Sequence, residues 1–110
     1  MSFKLSNIVL DKINKTTVNQ VEVVSGEATL NPSIPTTKLM ATSNYSVYLP
    51  NGKIGQQKII TTVGNGNVTI NFNSGYLDEG ANSRTLHDSG DMLILWASIH
   101  GWHYESRIWD

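Results

Sequence analysis

The chain contains no cysteine in 110 residues, which excludes disulfides and thiolate zinc centres as sources of stability. Proline occurs three times, and no apolar run approaches the roughly 20 residues of a membrane-spanning helix. The opening Met1-Ser2-Phe3-Lys4-Leu5-Ser6 lacks the apolar core of a secretory signal. Synthesis in a cytoplasm, as a soluble protein without membrane association, is therefore expected. Charge is also scarce: eight Lys and Arg against nine Asp and Glu give a net charge of −1. The basic residues are scattered rather than massed on one segment, which argues against nucleic acid as a partner. Long helical patterns are missing as well. Asn, Ser and Thr are abundant, a balance common in β-rich extracellular and virion proteins.

Short β-like segments separated by turn residues make up what is present. Residues 57–63, 67–72, 92–99 and 102–107 read as strands. Between them stand Gly64-Asn65-Gly66, His87-Asp88-Ser89-Gly90 and His100-Gly101, and Pro50-Asn51-Gly52 precedes the first. Gly and Asn tolerate positive φ, as the turns of a hairpin chain require. Upstream, residues 16–24 read as one strand rich in β-branched valines. Ser25-Gly26 reads as a hairpin turn into 27–30. Asn31-Pro32-Ser33-Ile34-Pro35 must interrupt any ladder, because each proline lacks an N–H and biases its predecessor toward extended backbone. Strands resume over 36–42 and 45–49. Residues 11–15 are polar, with room for a helical turn that nothing sustains. The expectation is one small all-β domain, an antiparallel β-sandwich or barrel-like set of hairpins. It has an N-terminal arm and proline connector over 1–35 and a hairpin body over 36–110.

Candidate chemistry is thin. His100 and His103 lie three residues apart, a spacing that points to opposite faces of a strand, so a metal site joining them to His87 and Asp88 would need a bulge at Gly101. Packed or surface histidines are the plainer reading, and no metal is expected. Asp78-Glu79-Gly80 and Asp88-Ser89-Gly90-Asp91 are explained by turn chemistry. No serine occupies a nucleophile elbow, and Gly64-Asn65-Gly66 lacks the Lys-Ser/Thr and helix of a phosphate loop. No catalytic residue and no cofactor are expected, and the chain is read as a non-enzyme. The aromatic residues are more informative. By the two-residue period, Trp102 and Tyr104 share one strand face, with His103 and Glu105 on the other. Trp96, His100, Trp102, Tyr104 and Trp109 are candidates for a subunit interface or a surface platform, and Trp96 and Trp102 also for core. Trp109 stands so near a terminus that ordering it would require docking onto something.

Residues 58–63 and 92–96 are apolar on both faces (Ile59 and Ile60; Leu93, Ile94 and Leu95). Strands of that kind require cover on both faces. A domain this small supplies it on one side, and oligomerisation is a common remedy on the other.

Taken in order, these pieces resemble a module of tailed-bacteriophage structural proteins. Leu49-x-x-Gly52-x-x-Gly55-Gln56-x-Lys58-x-Ile60 is similar to its hairpin, and residues 67–71 to the strand that follows. Residues 84–96 match its Gly-Asp-apolar-Trp segment, and Gly101-Trp102 its close. The resemblance spans about residues 36–104. It implies a virion surface part of head-decoration, cement, head-fibre or tail-fibre type, assembled as a homotrimer. The expectation that follows is a cement protein on the phage head surface, bound to the major capsid protein. Its arm residues Phe3, Leu5, Ile8 and Val9 would touch the capsid. The alternative is a fibre or spike tip that binds a receptor or glycan.

Overall fold

The computed structural model describes residues 5–72 and 82–107. It begins with a ten-residue helix, α1 (Leu5–Asn14), where the sequence pattern promised at most a turn. The end of the helix is tied to the body by tertiary contacts. Asp11 Oδ1 accepts the Thr29 N–H at 2.8 Å, and Asn14 Nδ2 donates to the Glu27 carbonyl at 2.9 Å. Such anchoring stabilises a helix that local propensity alone would not.

The segment expected as one strand over 16–24 is instead a hairpin, β1 (Lys15–Val18) and β2 (Val21–Val24). Its turn residues Asn19 and Gln20 have φ of 52° and 66°, the double positive φ of a type I′ turn. Glutamine is not a usual resident there, which is why the turn went unread. The remaining strands are β3 (Ala28–Thr29), β4 (Thr36–Met40), β5 (Tyr45–Tyr48), β6 (Gln57–Val63), β7 (Val68–Asn71), β8 (Ser83–Leu86), β9 (Met92–Ser98) and β10 (Gly101–Arg107).

The strands form two mixed sheets, ordered β1-β2-β4-β6-β9-β10 and β3-β5-β7-β8. The domain is thus all-β, as expected, but neither antiparallel throughout nor a closed barrel. From β2 to β7 the chain alternates between the sheets, so β2, β4 and β6 run parallel, as do β3, β5 and β7. Among the described residues, antiparallel pairing joins β1–β2, β7–β8, β6–β9 and β9–β10. Ser25-Gly26 and Gly64-Asn65-Gly66, expected to reverse the chain within a sheet, carry it from one sheet to the other. The second of these stacks on the corner between β4 and β5: Gly66 N donates to Ala41 O at 2.7 Å and Tyr45 N to Asn67 O at 3.1 Å.

The sheets turn their apolar faces toward one shared core. Val24, Leu39, Ile60, Leu93 and Leu95 come from the six-stranded sheet, and Val47, Val68, Ile70 and Leu86 from the four-stranded one. All are buried, at every second position of their strands, as the pleat requires. Strands on both sides of the proline connector share these sheets, since β2 pairs with β4 and β3 with β5.

Candidate functional site

The charged groups most suggestive of chemistry lie inside the fold. Lys58 occupies an inward position on β6 and is 0% exposed. Its Nζ donates to the carbonyls of Asn31 at 2.9 Å and Ile34 at 2.8 Å, and stands 3.4 Å from Glu22 Oε1. Glu22, equally buried on β2, also accepts from the Asn31 N–H and the Thr37 hydroxyl, while Lys15 Nζ lies 3.4 Å from its Oε2. Burial pulls the Lys58 pKa below its ordinary value, against the opposing pull of the Glu22 carboxylate. The network explains how the proline connector is held. The lysine ammonium takes the Asn31 and Ile34 carbonyls, while the Pro35 carbonyl accepts the Ile59 N–H of β6.

A second interior cluster accounts for the glycines of the Gly-x-x-Gly-Gln-x-Lys segment. Trp102 is 1% exposed and donates its indole N–H to the Pro50 carbonyl at 3.1 Å. Gly52 lies against that ring, where a Cβ would come within 2.7 Å of the indole. Gly55 takes φ of 89° in a turn closed by Gln56 N to Lys53 O at 2.9 Å. Trp102 is therefore core, and drops out of any surface platform or interface.

The other aromatic candidates are dispersed. Trp96 is 44% exposed on the outer face of β9 and stacks on His103, with ring centroids 6.2 Å apart. The His103 Nε2 lies 2.8 Å from Ser98 Oγ. Tyr104 packs against the core, and the Arg84 guanidinium sits 4.8 Å from its ring centre, at cation–π distance. His100 is exposed in the β9–β10 turn. Phe3, Trp109 and the Asp78-Glu79-Gly80 turn lie outside the described residues, as do the side chains of Leu5, Ile8 and Val9.

His87 does not join the other histidines. It lies on the loop after β8, where ligand atoms of His87, Asp88 and Asp91 fall within 4.8 Å of one another. Buried Asp91 accepts the backbone N–H groups of His87 at 3.0 Å and Asp88 at 3.1 Å through Oδ2, and the His87 ring lies 3.3 Å from Asp88. The aspartate thus closes the loop ahead of β9, the turn role its sequence position suggested.

The outer faces of the two sheets differ sharply in chemistry. On the four-stranded sheet Ser46, Thr69 and Thr85 form one row and Tyr48, Asn71 and Ser83 the next. Hydroxyls and amides of this kind suit contact with water. On the six-stranded sheet one row runs Val21, Thr36, Ile59, Ile94, Glu105, and the next Val23, Lys38, Thr61, Met92. Val63 and Trp96 extend the apolar band and are exposed. Near one end, the hydrogen bonds Gly55 N to Ala97 O and Ala97 N to Gln56 O bring two turns side by side. There Ile54 and Ile99 are 71% and 72% exposed. Elsewhere a cleft of about 200 Å³ opens between α1 and the four-stranded sheet, lined in part by Asp11, Glu27, Ser46, Tyr48 and Asn71.

The uneven chemistry of the faces is legible in the sequence only in part. The doubly apolar strands signalled it, but which residues point outward depends on a register that local sequence does not fix. Compared with known proteins, no family, no curated protein and no solved structure matches this chain.

Proposed function

We propose that this protein is a non-enzymatic structural component of a bacteriophage virion, a decoration or cement part on the outer surface of the head. In this reading it assembles as a homotrimer and binds the major capsid protein, and its two sheets act as the layers of a small β-sandwich. The observation that carries the structural role is the contrast between the outer faces. One is hydroxyl- and amide-rich, and the other presents Val, Ile, Met and Trp to the outside. Supporting it, Lys58, Glu22 and Asp91 are engaged in holding connectors and loops. The virion assignment itself rests on the resemblance carried by residues 49–60 and 84–102.

Capsid contact falls to the arm, through Phe3, Leu5, Ile8 and Val9. Asp11, Asn14 and Lys15 are fastened to the body, so a deletion of residues 2–8 tests the arm without removing those ties. In co-sedimentation with phage heads lacking the protein, the full chain is expected to pellet and the deletion to stay in solution with an unchanged melting temperature. Failure of the full chain to bind overturns the proposed function. Equal binding by both overturns only the role of the arm.

A second reading, a fibre or spike tip that binds a glycan, draws support from the cleft beside α1. A tyrosine ring with neighbouring carboxylate, hydroxyl and amide groups suits a sugar, which offers both an apolar face and hydroxyls. Selective binding on a glycan array, lost on Tyr48→Ala, would favour it over the cement role.

A further inference from the structure

We infer that the outer face of the six-stranded sheet is where copies of this chain meet, with Ile59 and Ile94 at the centre of the contact and Lys38 facing Glu105 of the adjoining copy. The inference rests on the structural role proposed above and names the surface through which that role is exercised.

The first ground is that the two outer faces belong to one fold and shield the same core, so the core alone gives no reason for them to differ. One carries Ser, Thr, Asn and Tyr; the other sets Val, Ile, Met and Trp among Thr36, Thr61, Lys38 and Glu105. Apolar area left in water forgoes about 25 cal/mol per Å², and soluble monomers seldom show contiguous apolar patches beyond a few hundred Å².

Size provides the second ground. Six strands spaced about 4.8 Å apart, with central strands of seven residues rising about 3.3 Å each, make a face on the order of 24 by 23 Å. That is about 550 Å², some two-thirds of the roughly 800 Å² per partner of an ordinary stable protein contact. Sheets also stack readily face to face, at about 10 Å.

The third ground selects the occupant. Among the described outward side chains of this face, Lys38 on β4 and Glu105 on β10 are the formal charges. In the order β4-β6-β9-β10 they flank the line between β6 and β9, one strand beyond it on either side. A foreign surface of one charge sign would satisfy one of them and oppose the other. A symmetry-related copy brings a carboxylate to each lysine and a lysine to each carboxylate, over a centre made of Ile59 and Ile94. The contact is self-complementary, so it joins copies in pairs across a two-fold axis and stands beside, rather than builds, the three-fold assembly proposed above.

Charge reversal with rescue tests this, read by sedimentation equilibrium at micromolar concentration on the full chain. The wild type is expected above the monomer mass of 12.1 kDa. Lys38→Glu and Glu105→Lys alone set like charges opposite each other and should each weaken association roughly tenfold or more. The two together should restore it. Thr85→Glu, on the other outer face, should leave it unchanged. Both charged positions are exposed, and an unaltered melting temperature of the monomeric fraction confirms folding. A monomeric wild type overturns the inference. So does an oligomer indifferent to both reversals, or one in which the double variant fails to recover. In either of the last two cases, co-sedimentation with heads reports separately on the proposed function.

Discussion

Lys58 shows how far a single residue can depart from what its type suggests. Lysine is rarely buried unless paired, and in sequence it read only as the last polar position of a turn motif. Its burial was not legible because its partners, Glu22 and the carbonyls of Asn31 and Ile34, lie 24 to 36 residues away. Removing the ammonium leaves a buried carboxylate and two carbonyls without it. Lys58→Met is therefore expected to destabilise the fold by about 3–5 kcal/mol in urea denaturation. A loss below about 1 kcal/mol would mean the network contributes little.

Tyr45 supplies a pH test at the same scale. Its hydroxyl donates toward the carbonyls of Met40 and Val24 at 2.9 and 3.2 Å, and burial pushes its pKa from 10.0 up to about 12. The folded state thus holds this proton more tightly than the unfolded chain. The resulting stability is fully present below pH 10 and is lost as pH rises through about 12. Lys58 has the opposite sign, since its folded value lies below 10.5 and its contribution improves as pH approaches that value. Tyr45→Phe should accordingly flatten the fall in melting temperature above pH 10. An unchanged alkaline slope would refute the assignment.

At the scale of elements, turns were the most legible feature and their consequences the least. β6 was read with its observed ends, 57–63, and β9 and β10 to within a residue, because β-branched runs bounded by Gly and Asn carry their own signal. β8 was missed, being short and polar: Ser83 and Thr85 lie on the outer, hydroxyl-rich face, and of its four residues Leu86 joins the core. The β1–β2 turn was missed because Gln20 occupies a glycine's conformation. Gln20→Gly should relieve that backbone and raise stability by up to about 1 kcal/mol, seen as a higher melting temperature. Gly52 should behave in the reverse manner. A methyl within 2.7 Å of the Trp102 ring must displace the indole from its Pro50 carbonyl. Gly52→Ala is therefore expected to cost about 1–3 kcal/mol and to shift tryptophan fluorescence to the red. A neutral variant with an unmoved spectrum would show that the ring has room to give.

Across the whole molecule, the class was legible and the path of the chain was not. Alternation of apolar residues says that a strand has an inside, and Gly-Asn-Gly says that the chain changes direction. Neither says whether the next strand joins the same sheet or the opposite one. The parallel stacking of β2, β4 and β6, in which Val21, Thr36 and Ile59 share a row, is settled by contacts between residues distant in sequence. The doubly apolar strands were read correctly as such. Ile60, Leu93 and Leu95 face the core, while Ile59 and Ile94 face away from it. The candidate surface was thus half visible beforehand: its need for cover was in the residues, its outline only in the register.

The order of the six-stranded sheet also sets how the protein bears load. β1 and β10 occupy opposite edges. By the registers linking Lys15 to Val24 and Arg107 to Met92, the start of β1 and the end of β10 lie at the same end of the sheet. Tension applied between these two points runs across the strands rather than along them. The ladders then open one hydrogen-bonded pair after another instead of resisting together in shear. Held by those points in optical tweezers, the protein should unzip gradually from an edge at low force. It is a tile that can press against a surface, and would serve poorly as a link in a chain.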